Sequence, residues 1–125
     1  MLSYYNNTYF SLVNETRFLD KYPFFPSEKT FKPIFHKHPF IIVSTSHFLH
    51  NLREQGYRTF DGFIDESYDE EIDMNKRYLK IVKEVKRLCN LNPNELIEFK
   101  KGCLEIVEYN FNSMMNKTEF AKKLI

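Results

Sequence analysis

The sequence predicts an α/β fold: a small parallel sheet flanked by helices, with a helical C-terminal end. Three observations predict it. Two short aromatic and β-branched runs, around residues 8–13 and 39–44, are separated by a segment with helix-capping residues. The second run is apolar without alternation, as a strand covered on both faces of a parallel sheet should be. From residue 75 onward the apolar residues recur every three or four positions, which is a helical period.

Each element follows in order. Thr8-Tyr9-Phe10-Ser11-Leu12-Val13 reads as a buried strand, with Asn14-Glu15-Thr16 at its C-terminal end. Tyr22-Pro23-Phe24-Phe25-Pro26 is a loop bounded by prolines. Ser27 or Thr30 caps a helix running to about Lys37. Pro33 suits the later start, because in a first turn its missing N–H costs least. Pro39-Phe40-Ile41-Ile42-Val43-Ser44 is the clearest strand. Ser44, Thr45 and Ser46 offer caps for a helix over about 46–55, with Phe48, Leu49 and Leu52 inward and Gly56 just past its end. Residues 57–64 return to extended chain as a third strand. The alternation of strand and helix is Rossmann-like, and its short crossovers favour parallel pairing. An amphipathic helix covers 75–89, with Tyr78, Ile81, Val82, Val85, Leu88 and Cys89 inward and lysines outward. Asn92 as N-cap, Pro93 at the first helical position and Glu95 two residues on open another helix. It carries Leu96, Cys103, Leu104, Val107 and Phe111 inward and ends near Asn116, with a short tail helix after Thr118.

Composition excludes several classes. The chain has 125 residues, the size of one ordinary domain, and is read as one unit over 1–125. It is too short for two full Rossmann-type domains. At 42% hydrophobic and 28% charged it is a folding sequence, not a disordered one. A net charge of +1 gives no general pull toward nucleic acid or a membrane surface. Only three glycines occur, Gly56, Gly62 and Gly102, which excludes both a P-loop and a GxGxxG fingerprint. Cys89 and Cys103 have no ligand partners at zinc spacing and read as reduced thiols. With no signal peptide and no long apolar run, the expected location is cytoplasmic, with no membrane partner.

The residues that carry chemistry lie in Ser27-Glu28-Lys29-Thr30-Phe31-Lys32-Pro33, followed by the strand at 39–44. A helix N-terminus favours anions, and a lysine there adds a full positive charge. A carboxylate beside it can accept two hydrogen bonds from a ribose diol. Together these groups can hold a nucleoside diphosphate without glycines. An ordinary capped helix with a solvated Glu–Lys pair is the plainer alternative.

Asn14-Glu15-Thr16, then Ser27-Glu28-Lys29-Thr30-Phe31-Lys32-Pro33-Ile34, then His38-Pro39-Phe40-Ile41-Ile42-Val43 resembles the C-terminal half of GT-B-type, fucosyltransferase-like glycosyltransferases found in phage and marine-bacterial sequences. The stretches Leu52-Arg53-Glu54-Gln55-Gly56-Tyr57-Arg58-Thr59-Phe60-Asp61 and Ile64-Asp65-Glu66-Ser67-Tyr68-Asp69 continue the likeness. The resemblance spans about residues 8–90. It implies a nucleotide-sugar site built from Glu15, Thr16, Ser27, Glu28, Lys29 and Lys32, with Glu28 toward ribose or sugar and Lys29 toward the phosphates. It implies no cofactor beyond the nucleotide sugar itself, and it leaves the catalytic base unidentified. In such enzymes a second, acceptor domain closes the cleft. The expectation is therefore an incomplete stand-alone enzyme, completed by a homodimer partner or a separate acceptor-domain chain. The alternative is a non-catalytic protein-interaction module on the same scaffold, phage-encoded.

Three further groups carry weaker signals. Residues 61–75 hold seven acidic and no basic side chains. Their spacing is not that of an EF-hand, and acidic residues before a helix starting near Asp73 complement its dipole, so no metal site is expected. His36 and His38 end the first helix, and His47 and His50 lie three apart on the next. All four read as solvated or capping residues. The basic face of 76–87 reads as a solvated surface, since nucleic-acid binding calls for a larger positive charge.

Overall fold

The computed structural model describes residues 8–15 and 26–124. Two strands, β1 (Ser11–Asn14) and β2 (Phe40–Val43), pair in parallel, with Ser11 opposite Phe40 and Asn14 opposite Val43. The helix α1 (Glu28–Phe35) connects them, so the first half is a βαβ unit. Then follow α2 (Phe48–Glu54), a 3₁₀ turn over Ser67–Glu70, α3 (Met74–Cys89) and the long α4 (Pro93–Leu124). The architecture is mixed helix and strand, with a small parallel sheet and mostly helices. No helix among the described residues is long and apolar enough to cross a membrane.

β2 is the centre of the core. Phe40, Ile41 and Ile42 are buried, with Leu49 and Leu52 of α2, Ile34 of α1, Leu88 of α3 and Phe99, Cys103 and Ile106 of α4 around them. Phe48, Leu49 and Leu52 form the inner face of α2, as their spacing predicts.

The third strand does not form among the described residues. Tyr57, Thr59, Phe60 and Ile64 are buried, but side chains rather than a strand take up the backbone of this segment. The Arg58 N–H donates to Asn110 Oδ1 at 2.8 Å and the Phe60 N–H to Glu66 Oε2 at 2.8 Å. Residues 60–64 then close as a turn, with Phe63 and Ile64 N–H groups on the Phe60 carbonyl.

α1 starts at Ser27 rather than Thr30, which leaves Pro33 inside the helix. It ends in a Schellman arrangement: His38 N–H reaches the Pro33 carbonyl and Lys37 N–H the Ile34 carbonyl. Lys37 takes the left-handed conformation, φ 55°, that glycine usually fills.

The inner stripe of α3 is Arg77, Ile81, Glu84 and Leu88, rotated from the expected apolar one. Arg77 Nε and Nη1 donate to the carbonyls of Ser44 and Glu71, and Glu84 accepts the Asp65 N–H at 2.5 Å. Satisfied in this way, two charged side chains occupy the interior, and Tyr78, Val82 and Cys89 are exposed.

α4 runs unbroken past Asn116. Thr118 Oγ1 donates back to the Met114 carbonyl, a bond made within a helix and not at its start. Leu104 faces out, and Phe99, Cys103, Ile106 and Val107 face in. Gly102 lies under the Phe63 ring, where a Cβ would sit 2.0 Å from Phe63 Cε1.

Candidate functional site

The parallel strands end together, and two of the residues singled out by the sequence, Glu15 and Ser27, meet beside that end. Glu15 follows Asn14 and keeps the ladder going, its N–H donating to the Val43 carbonyl at 3.0 Å. Its buried carboxylate turns to the start of α1. Oε2 accepts from the Ser27 N–H at 2.7 Å and from Thr30 Oγ1 at 2.6 Å, and Oε1 accepts from Ser27 Oγ at 2.5 Å. Ser27 Oγ in turn accepts from the Lys29 N–H at 3.1 Å, the usual N-cap bond. A carboxylate at a helix N-terminus is favoured by the dipole, and here one is supplied from the end of β1.

Glu28, Lys29 and Lys32 project outward and are exposed. Lys29 and Lys32, with Leu12, Asn14 and Pro33, line a shallow depression of about 280 Å³ on β1. Among the described residues neither lysine is paired with a carboxylate. Glu28 stands at the helix start outside that depression. Thr16 lies outside the described residues.

Beyond β2, the Ser44 and Thr45 hydroxyls are buried and have no hydrogen-bond partner among the described residues. Their spacing suggests helix caps, but α2 is capped from elsewhere. Its N-cap is His47, in the left-handed conformation at φ 67°, and Asp69 supplies the acceptors. Asp69 Oδ1 and Oδ2 take the N–H groups of Leu49 and His50 at 2.8 and 3.1 Å, and the Asp69 carbonyl takes that of His47 at 2.6 Å. Nothing local in the sequence signals this pairing.

The other candidates divide. His38 does not lie on the helix end as a cation. It is buried, with Nδ1 2.6 Å from Ser11 Oγ and Nε2 2.9 Å from the Thr8 carbonyl, and burial holds its imidazole below the usual histidine range. It fastens the start of β1 to β2. His36 is the C-cap of α1, and His50 lies 3.7 Å from Glu54 on the outside of α2.

The acidic segment binds backbone. Asp73 N-caps α3 through the Lys76 N–H at 2.8 Å, and Asp65 accepts from the Ser67 N–H at 3.0 Å. Among the described residues no group of three or more His, Cys, Asp or Glu side chains is placed to hold a metal ion. The Cys103 thiol is buried and pushed up to about 12 by desolvation, which keeps it protonated and inert.

Comparison with models of known protein families, with curated proteins and with solved structures finds no match.

Proposed function

We propose that this chain is a cytoplasmic, Rossmann-like module that binds a nucleoside diphosphate sugar at the C-terminal end of β1 and β2, as the sugar-nucleotide half of a glycosyltransferase does. One observation carries the reading. The two parallel strands end in register beside α1, which displays Lys29 in its first turn and Lys32 in its last turn to solvent along β1. Open parallel sheets bind ligands at this end. Lys29 and Lys32 take the phosphates and Glu28 the ribose or sugar hydroxyls. Glu15 acts here as a positioning residue, because Ser27 and Thr30 occupy its carboxylate. Transfer needs a second surface over the sugar, from another copy or a separate acceptor-domain chain.

The test is a thermal-shift and calorimetric series with GDP, UDP and their sugars. Ligand at 100 times its dissociation constant should stabilise the fold by about 2.7 kcal/mol. Lys29→Ala should weaken binding by about 1.5–3 kcal/mol without unfolding the protein. No shift with any nucleotide at millimolar concentration overturns the reading.

A second reading, a non-catalytic protein-interaction module, is favoured by one other surface. Leu12, Val43, Tyr78, Ile81, Val82 and Val85 line a groove between the sheet and α3, with Leu12 55% and Val82 48% exposed. Exposed apolar patches of this kind mark contact surfaces. Val82→Asp should then abolish self-association seen by light scattering and leave nucleotide binding unchanged.

A further inference from the structure

The two edges of the sheet differ. On the outer side of β2 the Ile42 N–H donates to the buried Tyr68 hydroxyl at 3.2 Å. The outer side of β1 has no such cover among the described residues. Ser11 and Glu15 turn their N–H groups inward, to the carbonyls of Pro39 and Val43 at 2.8 and 3.0 Å. The strand repeats every two residues, so Leu12 and Asn14 turn their N–H and C=O groups outward. Both residues are exposed, and among the described residues these backbone groups have no partner. Edge strands are usually blunted by proline, a charge or a bulge, and Ser11–Asn14 carries none of these.

A helix flanks this edge on each face. On the face of Leu12, the groove of Val43, Tyr78 and Val82 is apolar, and Lys86 is its one charged lining residue. On the other face Glu15 bonds Thr30 of α1, and α1 sets Lys29 and Lys32 along β1. The charges along the edge are therefore three lysines with no carboxylate among them. None of the three is paired with a carboxylate among the described residues.

We propose that β1 takes up an extended segment of a partner protein as an added strand, one whose side chains alternate between apolar and acidic. The outward N–H and C=O groups call for a backbone in strand form. Its period of two points the apolar side chains at Leu12, Tyr78 and Val82 and the carboxylates at Lys29 and Lys32. Charge selects such a partner over a second copy. A copy that added its own β1 about a two-fold axis would carry its α1 on the same face, lysines toward lysines. The inference rests on the interaction-module reading and adds the occupant of the strand edge; self-association through the groove alone needs no strand pairing. Lys29 and Lys32 are shared with the nucleotide site, so the test is made without nucleotide.

The experiment is fluorescence anisotropy of the whole chain with labelled hexapeptides of alternating valine and glutamate. The plain peptide should bind saturably, and its valine–lysine counterpart about tenfold more weakly. Two further peptides carry N-methyl groups on every valine or on every glutamate. In a strand only one of these sets faces β1, so one peptide should lose at least about tenfold in affinity and the other keep it. Charge attraction without strand pairing spares both. Lys29→Glu combined with Lys32→Glu, both at exposed positions, should weaken binding about tenfold, with circular dichroism reporting the fold. The peptide series on the unmodified chain decides even where a variant fails to fold. No saturable binding at millimolar peptide, or N-methyl peptides that both bind or both fail, overturns the proposal. So does full-strength binding of the lysine peptide, or of the plain peptide to the folded charge-reversal variant. A dimer that Leu12→Pro dissociates, without peptide binding, gives the edge to a second copy and also overturns it. Failure of the interaction-module reading is seen separately, as self-association that Val82→Asp leaves unchanged.

Discussion

Replacing Glu15 by alanine separates a structural anchor from a ligand contact. The substitution removes one buried acceptor and strands three donors: the Ser27 N–H, Ser27 Oγ and Thr30 Oγ1. Thr30 is fully buried, so its hydroxyl has no water to turn to, whereas Ser27 is only partly buried and recovers some solvation. A hydrogen bond to a charged group contributes about 1.5–3 kcal/mol, and an unsatisfied buried donor costs about 1–3 kcal/mol. The three bonds share one carboxylate and do not add. Counting Thr30 in full and Ser27 at about half gives a loss on the order of 3–4 kcal/mol. For a chain of this size each kcal/mol moves the midpoint by about 3–5 °C, so melting should fall by roughly 10–15 °C. Glu15→Gln, which keeps one acceptor oxygen, should lose about half as much. Urea unfolding of the three proteins measures this directly. A Glu15→Ala variant within about 0.5 kcal/mol of wild type, the range of ordinary surface changes, refutes the anchoring argument. If that stable variant also lost nucleotide binding, Glu15 would be a ligand contact.

Other consequences are as specific. Asp69→Ala removes the acceptors for the Leu49 and His50 N–H groups and should cost about 2 kcal/mol in urea unfolding, far above a surface change. Gly102→Ala gains about 1 kcal/mol of helix propensity but drives a methyl into the Phe63 ring, and should be net destabilising by about 1–2 kcal/mol; a more stable variant would show that Phe63 moves aside freely. Burial raises Glu66 to about 7 from an ordinary 4.5, so the folded state holds a proton that the unfolded state releases. Its contribution is present below pH 4.5 and is lost as pH rises through 7, on the order of 3 kcal/mol. His38 works the other way, its depressed folded value removing stability as pH falls below 6.5. The Glu66→Gln variant should therefore lack the decline expected for wild type between pH 4.5 and about 7, and an identical pH profile for both proteins would contradict the assignment. Because Lys29 and Lys32 are exposed, nucleotide affinity should fall steeply as salt is raised to about 0.15 M, where the screening length is about 8 Å.

What the sequence made legible follows how local each signal is. The two strands and the inner face of α2 rest on runs and spacings within about ten residues and form close to where predicted, though β1 buries one face only, with Leu12 exposed, and α1 starts at Ser27, three residues before the start that Pro33 favours. The N-cap at Ser27 is equally local and puts Glu28 and Lys29 at a helix start. Three of the misreadings share one cause: a buried polar group whose partner is far along the chain. The face of α3 rotates because Arg77 reaches the Ser44 carbonyl 33 residues away and Glu84 the Asp65 amide 19 away. The start of α2 is held by Asp69, 20 residues downstream of Leu49. The third strand is replaced by bonds from Asn110, 52 residues from Arg58. Hydrophobic periodicity carries no trace of these pairings, because each makes a charged or amide side chain behave as core.

The same pairings decide how an anion can be held. In a parallel α/β unit the helix N-termini at the strand ends are the ready-made anion sites, with free N–H groups and the positive end of the dipole. Both such helices here carry an internal carboxylate at that position, Glu15 on α1 and Asp69 on α2. A phosphate brought to either place would meet a negative charge already using the donors. The chain also lacks the clustered glycines that let a backbone wrap a phosphate. What is left for an anion at this end is side-chain charge, which Lys29 and Lys32 supply on the outer side of α1. Such a site works by point charges on flexible stems, so it should recognise the diphosphate more by charge than by shape. On the proposed reading, discrimination among nucleotides must then come from groups that touch the base, ribose or sugar, and Glu28, exposed at the start of α1, is the first to substitute.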